Sequence, residues 1–149
     1  MRPIKVLHVA HSLDIGGTEK VVYDLIRTLN RDVVSSAIAC IDHLGHFGAA
    51  LQHEGYKVFV LGRNPGIDRN LIGRLAQIVR EGEFDVIHAQ QYTPYFYSLM
   101  SCFWLTARVR HRPKLVFTEH GIAHPYKKKL RRLLLNPVLF SFASSINTI

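Results

Sequence analysis

The sequence predicts an α/β fold: a three-layer domain in which helices cover both faces of a mostly parallel sheet. Three observations carry this. Six short apolar runs, each about one strand long, recur along the chain. The segments between them return apolar residues at helical spacing. Short, nearly continuous apolar strands joined through helices form parallel sheets that are buried on both sides. The third observation is size. The 149 residues suit one domain of ~100–200 residues, long enough to bury a core without disulfide staples.

Each element follows from local pattern. Ile4–Ala10 (IKVLHVA) follows Pro3 and reads as a buried strand. Residues 11–18 (HSLDIGGT) form a loop with a Gly-Gly pair. Over residues 19–29, Val22, Leu25, Ile26 and Leu29 share a helical face, with Thr18 as the expected N-cap. Residues 33–41 read as a second strand, 47–53 as a short helix closed by Gly55, and 57–61 as a third strand. Leu71, Ile72, Leu75, Ile78 and Val79 make residues 69–80 a helix. Residues 85–89 are a fourth strand. Residues 93–109 are an aromatic-rich helix with Pro94 in its first turn. Residues 114–118 are a fifth strand. Residues 126–142 are a basic, leucine-rich helix interrupted near Pro137. Residues 145–149 begin a sixth strand, and the sequence stops inside it, which reads as a fragment or as a terminal edge strand.

Hydrophobic residues make up 48% and charged residues 20% of the chain, and mean hydropathy is +0.06. This composition is globular rather than disordered. No run reaches the ~18 apolar residues of a membrane span, and the N-terminal MRPIKVLHVAHS does not read as a signal peptide. Cys40 and Cys102 stand alone without a CxxC, so neither a disulfide framework nor a zinc site is expected. A reduced, cytoplasmic protein fits this usage. Net charge is +8, and its placement is uneven. Residues 1–107 carry ten basic and ten acidic side chains, whereas residues 108–132 carry nine bases against Glu119 alone. That stretch includes Lys127, Lys128, Lys129, Arg131 and Arg132. It is either a solvated helix face or a patch for an anionic partner such as a membrane surface. A protein coated in nucleic acid is not indicated.

In a parallel α/β sheet, ligands bind beyond the carboxyl ends of the strands. This selects the loops after the first, fourth and fifth strands. The first holds Gly16 and Gly17 directly before a helix, where backbone can approach a ligand and the helix N-terminus favours an anion. A tight turn alone would also explain the pair, and Glu19 adds negative charge in the same turn. Neither GxGxxG nor GxxxxGK[ST] is present, which disfavours dinucleotide oxidoreductases and phosphate-loop NTPases. The second feature is Thr118-Glu119-His120-Gly121. A histidine there donates hydrogen bonds to a hydroxyl or a developing charge, or simply caps the loop. His88 reads as a core histidine, and His124, before Pro125, as a turn residue. Nine histidines show no metal-ligand spacing, and no GxSxG elbow appears.

Four motifs in order, Lys5-Val6-Leu7-His8-Val9, Gly16-Gly17-Thr18-Glu19, Asp85-Val86-Ile87-His88 and Thr118-Glu119-His120-Gly121, resemble the N-terminal half of family 4 glycosyltransferases of the GT-B fold. The resemblance spans essentially the whole chain. It implies a Rossmann-like domain, one half of a GT-B fold, holding the acceptor across a cleft from a donor-binding domain that is absent here. It implies that Gly16, Gly17, Thr18 and Glu19 approach the donor diphosphate, and that His120 contacts the transferred sugar and serves catalysis. It places Gln90, Tyr92, Glu119 and Gly121 in acceptor-side loops. The expected reaction is retaining transfer from a nucleotide-sugar to a glycan or lipid-linked acceptor, with no metal and no cofactor beyond that donor substrate. Such enzymes often work peripherally at the inner face of the membrane, which suits the patch at residues 127–132. A lone domain is expected to be inactive. Two other readings stay open: a non-catalytic Rossmann-like binding module, and a basic adaptor for membrane or nucleic acid.

Overall fold

A computed structural model describes residues 2–105, 112–121 and 140–148. Its elements are β1 (Ile4–Ala10), α1 (Gly17–Thr28), β2 (Val34–Cys40), α2 (His46–His53), β3 (Lys57–Val60), α3 (Arg69–Gly82), β4 (Val86–Gln90), α4 (Tyr92–Leu105), β5 (Lys114–Glu119) and β6 (Ser145–Thr148). The expected helix at residues 126–142 lies almost wholly outside the described residues, as do Lys127, Lys128, Lys129, Arg131 and Arg132.

The six strands form one sheet in the order β3-β2-β1-β4-β5-β6, and every pairing in it is parallel. The sheet is therefore wholly rather than mostly parallel among the described residues. Strand periodicity sorts side chains between the two faces. Leu7, Val9, Ala37, Ala39, Ile87, Ala89, Leu115 and Phe117 pack against Leu71, Leu75 and Val79 of α3 and Tyr95, Leu99 and Leu105 of α4. Ala10, Ile38 and Cys40 face the other way, against Val22 and Ile26 of α1 and Leu51 of α2. Leu7, Ile38, Leu71, Leu75 and Ile87 are wholly buried, and each such side chain contributes about 1.5–3 kcal/mol.

Two local features shape the carboxyl ends of the strands. Gly45, at φ +72, precedes α2, and a side chain there would collide with the backbone of Leu13 and Asp14. The close approach lets Leu13 N–H donate to Leu44 O at 3.3 Å and Phe47 N–H to Leu13 O at 2.7 Å. The loops after β1 and β2 are thereby clamped together. Asp68 caps α3, accepting from Leu71 N–H at 3.0 Å, and its own N–H donates to the Tyr97 hydroxyl at 3.0 Å. That hydroxyl donates to Gly66 O at 3.2 Å, tying α4 to the loop after β3.

One cap differs from expectation. α1 begins at Gly17 with Gly16 as N-cap, and no side chain caps it. Thr18 is already helical, so its hydroxyl is not the cap. Glu19, in the first turn, places its carboxylate over Gly16 instead, where a side chain on Gly16 would collide with it.

Candidate active site

Strand order reverses between β1 and β4, because the chain moves outward in one direction through β2 and β3 and in the other through β5 and β6. The loops leaving β1 and β4 diverge there and leave a crevice. Ala10, His11, Ser12, Leu13, Thr18, Glu19, Val22, Gln90 and Gln91 line it. The N-termini of α1 and α4 both begin beside it, each bringing the positive end of a helix dipole. A larger cleft of about 400 Å³ lies at the opposite, amino end of the strands, lined by Arg2, Pro3, Ile4, Asp85, Val86, Arg112 and Lys114. Arg2 and Asp85 already pair there through two hydrogen bonds of 2.9 and 2.7 Å. Among the described residues no helix begins at that end, and the smaller crevice is the candidate site.

A row of polar side chains crosses the sheet beneath it. His8 of β1 stands beside His88 of β4 in register, with ring centroids 5.4 Å apart. Gln90 is two residues beyond His88 and so on the same face, and it stands opposite Thr118 of β5. Thr118 Oγ1 lies 2.8 Å from His88 Nε2, and Gln90 Nε2 lies 3.3 Å from the same nitrogen. The carbonyl end of Gln90 then meets His120 Nε2 at 2.6 Å. Burial pushes His8 down to about 3, helped by His88. Burial also pushes His88 down to about 4, helped by His120. His120 is lowered by burial too, and the Glu19 carboxylate partly offsets this. At neutral pH the row is uncharged and bounded by one acid.

A second cluster joins the clamped loops to the loop after β3. Arg63 donates to Asp42 at 2.7 and 3.2 Å, and His11 Nδ1 lies 3.1 Å from the same carboxylate. Burial acts upward on Asp42, but the hydrogen bonds from Arg63 and His11 outweigh it and hold the group below its ordinary value. Asp14 is held down chiefly by its hydrogen bond with His43 and also accepts from Ser12.

The residues expected from sequence fall into three groups. Thr18, Glu19 and Gln90 line the crevice, with His120 bonded to Gln90 and Gly16 and Gly17 opening α1. Gln90 is not in a loop: it ends β4 and is 2% exposed. Tyr92 is also not in a loop. It opens α4, and its ring sits edge-on to Phe140 rather than among the crevice residues. Glu119 ends β5, and Gly121 follows His120 with φ +43. The sequence reading selects the loop that holds His11 and Asp14 without singling them out, and does not reach Asp42, His43 or Arg63. The signal for the last three was available, since they follow closely on the ends of β2 and β3, and the carboxyl-end rule applies to those loops as well. His88 is inside a strand as expected, but it belongs to the polar row rather than to the apolar core.

Known proteins bear on this geometry. Among solved structures, MurG of Acinetobacter baumannii superposes with a TM-score of 0.66 at 10% identity, over 98% of this chain and 41% of MurG. The fold is thus Rossmann-like, one half of a GT-B fold, and the chain spans well under half of the MurG chain. No curated protein matches the sequence significantly. Among the described residues no helix is long and apolar enough to cross a membrane. A profile described as Glycosyltransferase Family 4 matches residues 15–148, nearly the whole chain, and the chain belongs to that family.

Proposed function

We propose that this chain is the acceptor-side domain of a retaining glycosyltransferase, which transfers a hexosyl group from a nucleotide-sugar to a glycan or lipid-linked acceptor. The single observation behind this is convergence: His120, its partner Gln90, Glu19 and the glycine-led N-terminus of α1 meet at the strand-order reversal. In this reading the first N–H groups of α1 face the donor diphosphate, where orphan donors and the helix dipole favour phosphate oxygens. A side chain at Gly17 would meet nothing within 4 Å, so the glycine keeps that approach open. His120 hydrogen-bonds the sugar and steadies charge that develops as the glycosidic bond to phosphate breaks. The clamped loops carrying Asp42, Asp14 and His43, with Arg63 from the loop after β3, supply polar groups for acceptor hydroxyls. A second domain holds most of the donor, the nucleotide-sugar is a substrate rather than a cofactor, and this domain alone does not turn over. Attachment at the inner membrane face rests on the bases at residues 127–132.

The test is His120→Ala in the two-domain polypeptide. Turnover should fall about 10²–10³-fold while the melting temperature holds. Unchanged turnover removes His120 from the site. The anomeric configuration of the product, read by NMR, decides retention.

A further inference from the structure

The row of imidazoles contains more order than hydrogen bonding to a loop histidine requires. Gln90 is 2% exposed, so both ends of its amide are met by protein groups. Its two ends meet different atoms at different distances. The oxygen lies 2.6 Å from His120 Nε2, and the nitrogen 3.3 Å from His88 Nε2. The short distance falls on a nitrogen–oxygen pair and the long one on a nitrogen–nitrogen pair, as their sizes demand. Protons can then be assigned one by one. Amide N–H of Gln90 donates to His88 Nε2, so that nitrogen carries a lone pair and His88 is the Nδ1–H form. The Thr118 hydroxyl oxygen lies 2.8 Å from the same nitrogen. The amide oxygen of Gln90 can only accept, so His120 Nε2 carries the proton.

We propose that Gln90, itself oriented by His88 and Thr118, is a positioning residue that holds neutral His120 as a single tautomer, protonated on Nε2 and basic on Nδ1. The ring then presents one defined acceptor to a sugar hydroxyl instead of a mixture of two forms. The arrangement depends on His88 staying neutral, because a protonated His88 would donate from Nε2 and turn the amide around. Burial, and after it the neighbouring His120, favour the neutral form. The groups facing His120 are Glu19 from α1 and His88 and Gln90 from β4. The value of this device for sugar transfer rests on the function proposed above, whereas the tautomer itself does not.

The test is a long-range proton–nitrogen correlation spectrum of the histidine rings in this 149-residue chain near pH 7.5. His120 should show a protonated-type shift at Nε2 and an unprotonated-type shift at Nδ1, and His88 the reverse. The opposite assignment for His120, or averaged shifts at both nitrogens, overturns the proposal with no variant needed. Gln90→Leu should move His120 to averaged shifts, and Gln90→Glu, which still offers an acceptor, should restore the Nε2–H form. An unchanged His120 pattern in folded Gln90→Leu also overturns it. In the two-domain enzyme Gln90→Leu should lower kcat about tenfold or more at constant donor KM, with Gln90→Glu recovering part of the loss. If the tautomer is as assigned while His120→Ala leaves transfer untouched, the positioning stands and the catalytic role of His120 falls.

Discussion

Gly17→Ala separates a glycine kept for a ligand from one kept for a turn. Gly17 is the first residue of α1 and lacks the positive φ that would demand glycine. A methyl group there meets no atom within 4 Å. Alanine is therefore free to adopt the native conformation, and it reduces the entropy of the unfolded chain. A full interior Gly→Ala exchange is worth about 0.5–1 kcal/mol, and the first turn realises about half of that. For a domain of this size the melting temperature should rise about 1–2 °C. The donor side moves the opposite way. The methyl occupies the space through which a diphosphate oxygen would reach the α1 N-terminus. Losing one hydrogen bond to a charged group costs about 1.5–3 kcal/mol, or about tenfold to a hundredfold in donor affinity. The assay pairs a thermal melt of this chain with the donor KM of the two-domain enzyme. A lowered melting temperature with an unchanged donor KM would show that Gly17 only forms the turn, and would refute the reasoning.

Two further predictions concern the scaffold. Tyr97→Phe removes the hydroxyl that joins Asp68 N–H to Gly66 O, and should cost about 1–3 kcal/mol in urea unfolding with the fold retained; an unchanged midpoint would mean that α4 does not need this tie. His8 is buried with neither ring nitrogen bonded, and its folded value near 3 lies below the ordinary histidine range. The unfolded chain therefore takes up a proton below about pH 6.5 that the folded ring refuses, and stability falls as pH drops toward 3, by up to about 1.4 kcal/mol per unit. His8→Leu should remove one proton's share of that slope, measured as urea stability at pH 7, 6, 5 and 4; an unaltered slope would place the titration elsewhere.

Much of the fold was legible because its signals are local. Apolar runs and helical spacing located all ten described elements to within a few residues, since parallel strands buried on both faces need continuous apolar stretches. The start of α1 was misplaced because two glycines give no helical signal, and the cap that formed there is backbone with a carboxylate folded over it. The crevice was legible through the rule that ligands lie beyond the carboxyl ends of strands. The polar row was not. His88 and Gln90 stand two apart on one face of β4, whereas Thr118 lies in β5 and His120 just beyond its end. Only strand order and register bring the two pairs together, and neither is written in local sequence. Gln90 was read as a loop residue for the same reason: a polar side chain ends a strand when a neighbouring strand satisfies it.

The central position of β1 has a consequence in time. One edge of β1 pairs with β2, beginning with Ile4 opposite Val34. The other edge pairs with β4, where Val6 stands opposite Val86, 80 residues later. At a synthesis rate of about 5–20 residues per second, that edge waits about 4–16 s for its partner. Throughout that interval a strand bearing Leu7 and Val9 presents unpaired backbone to whatever lies near the ribosome, a template for wrong pairing. Closure of this contact sets the earliest moment at which the crevice exists, and slowed translation between β2 and β4 should increase aggregation of the nascent chain.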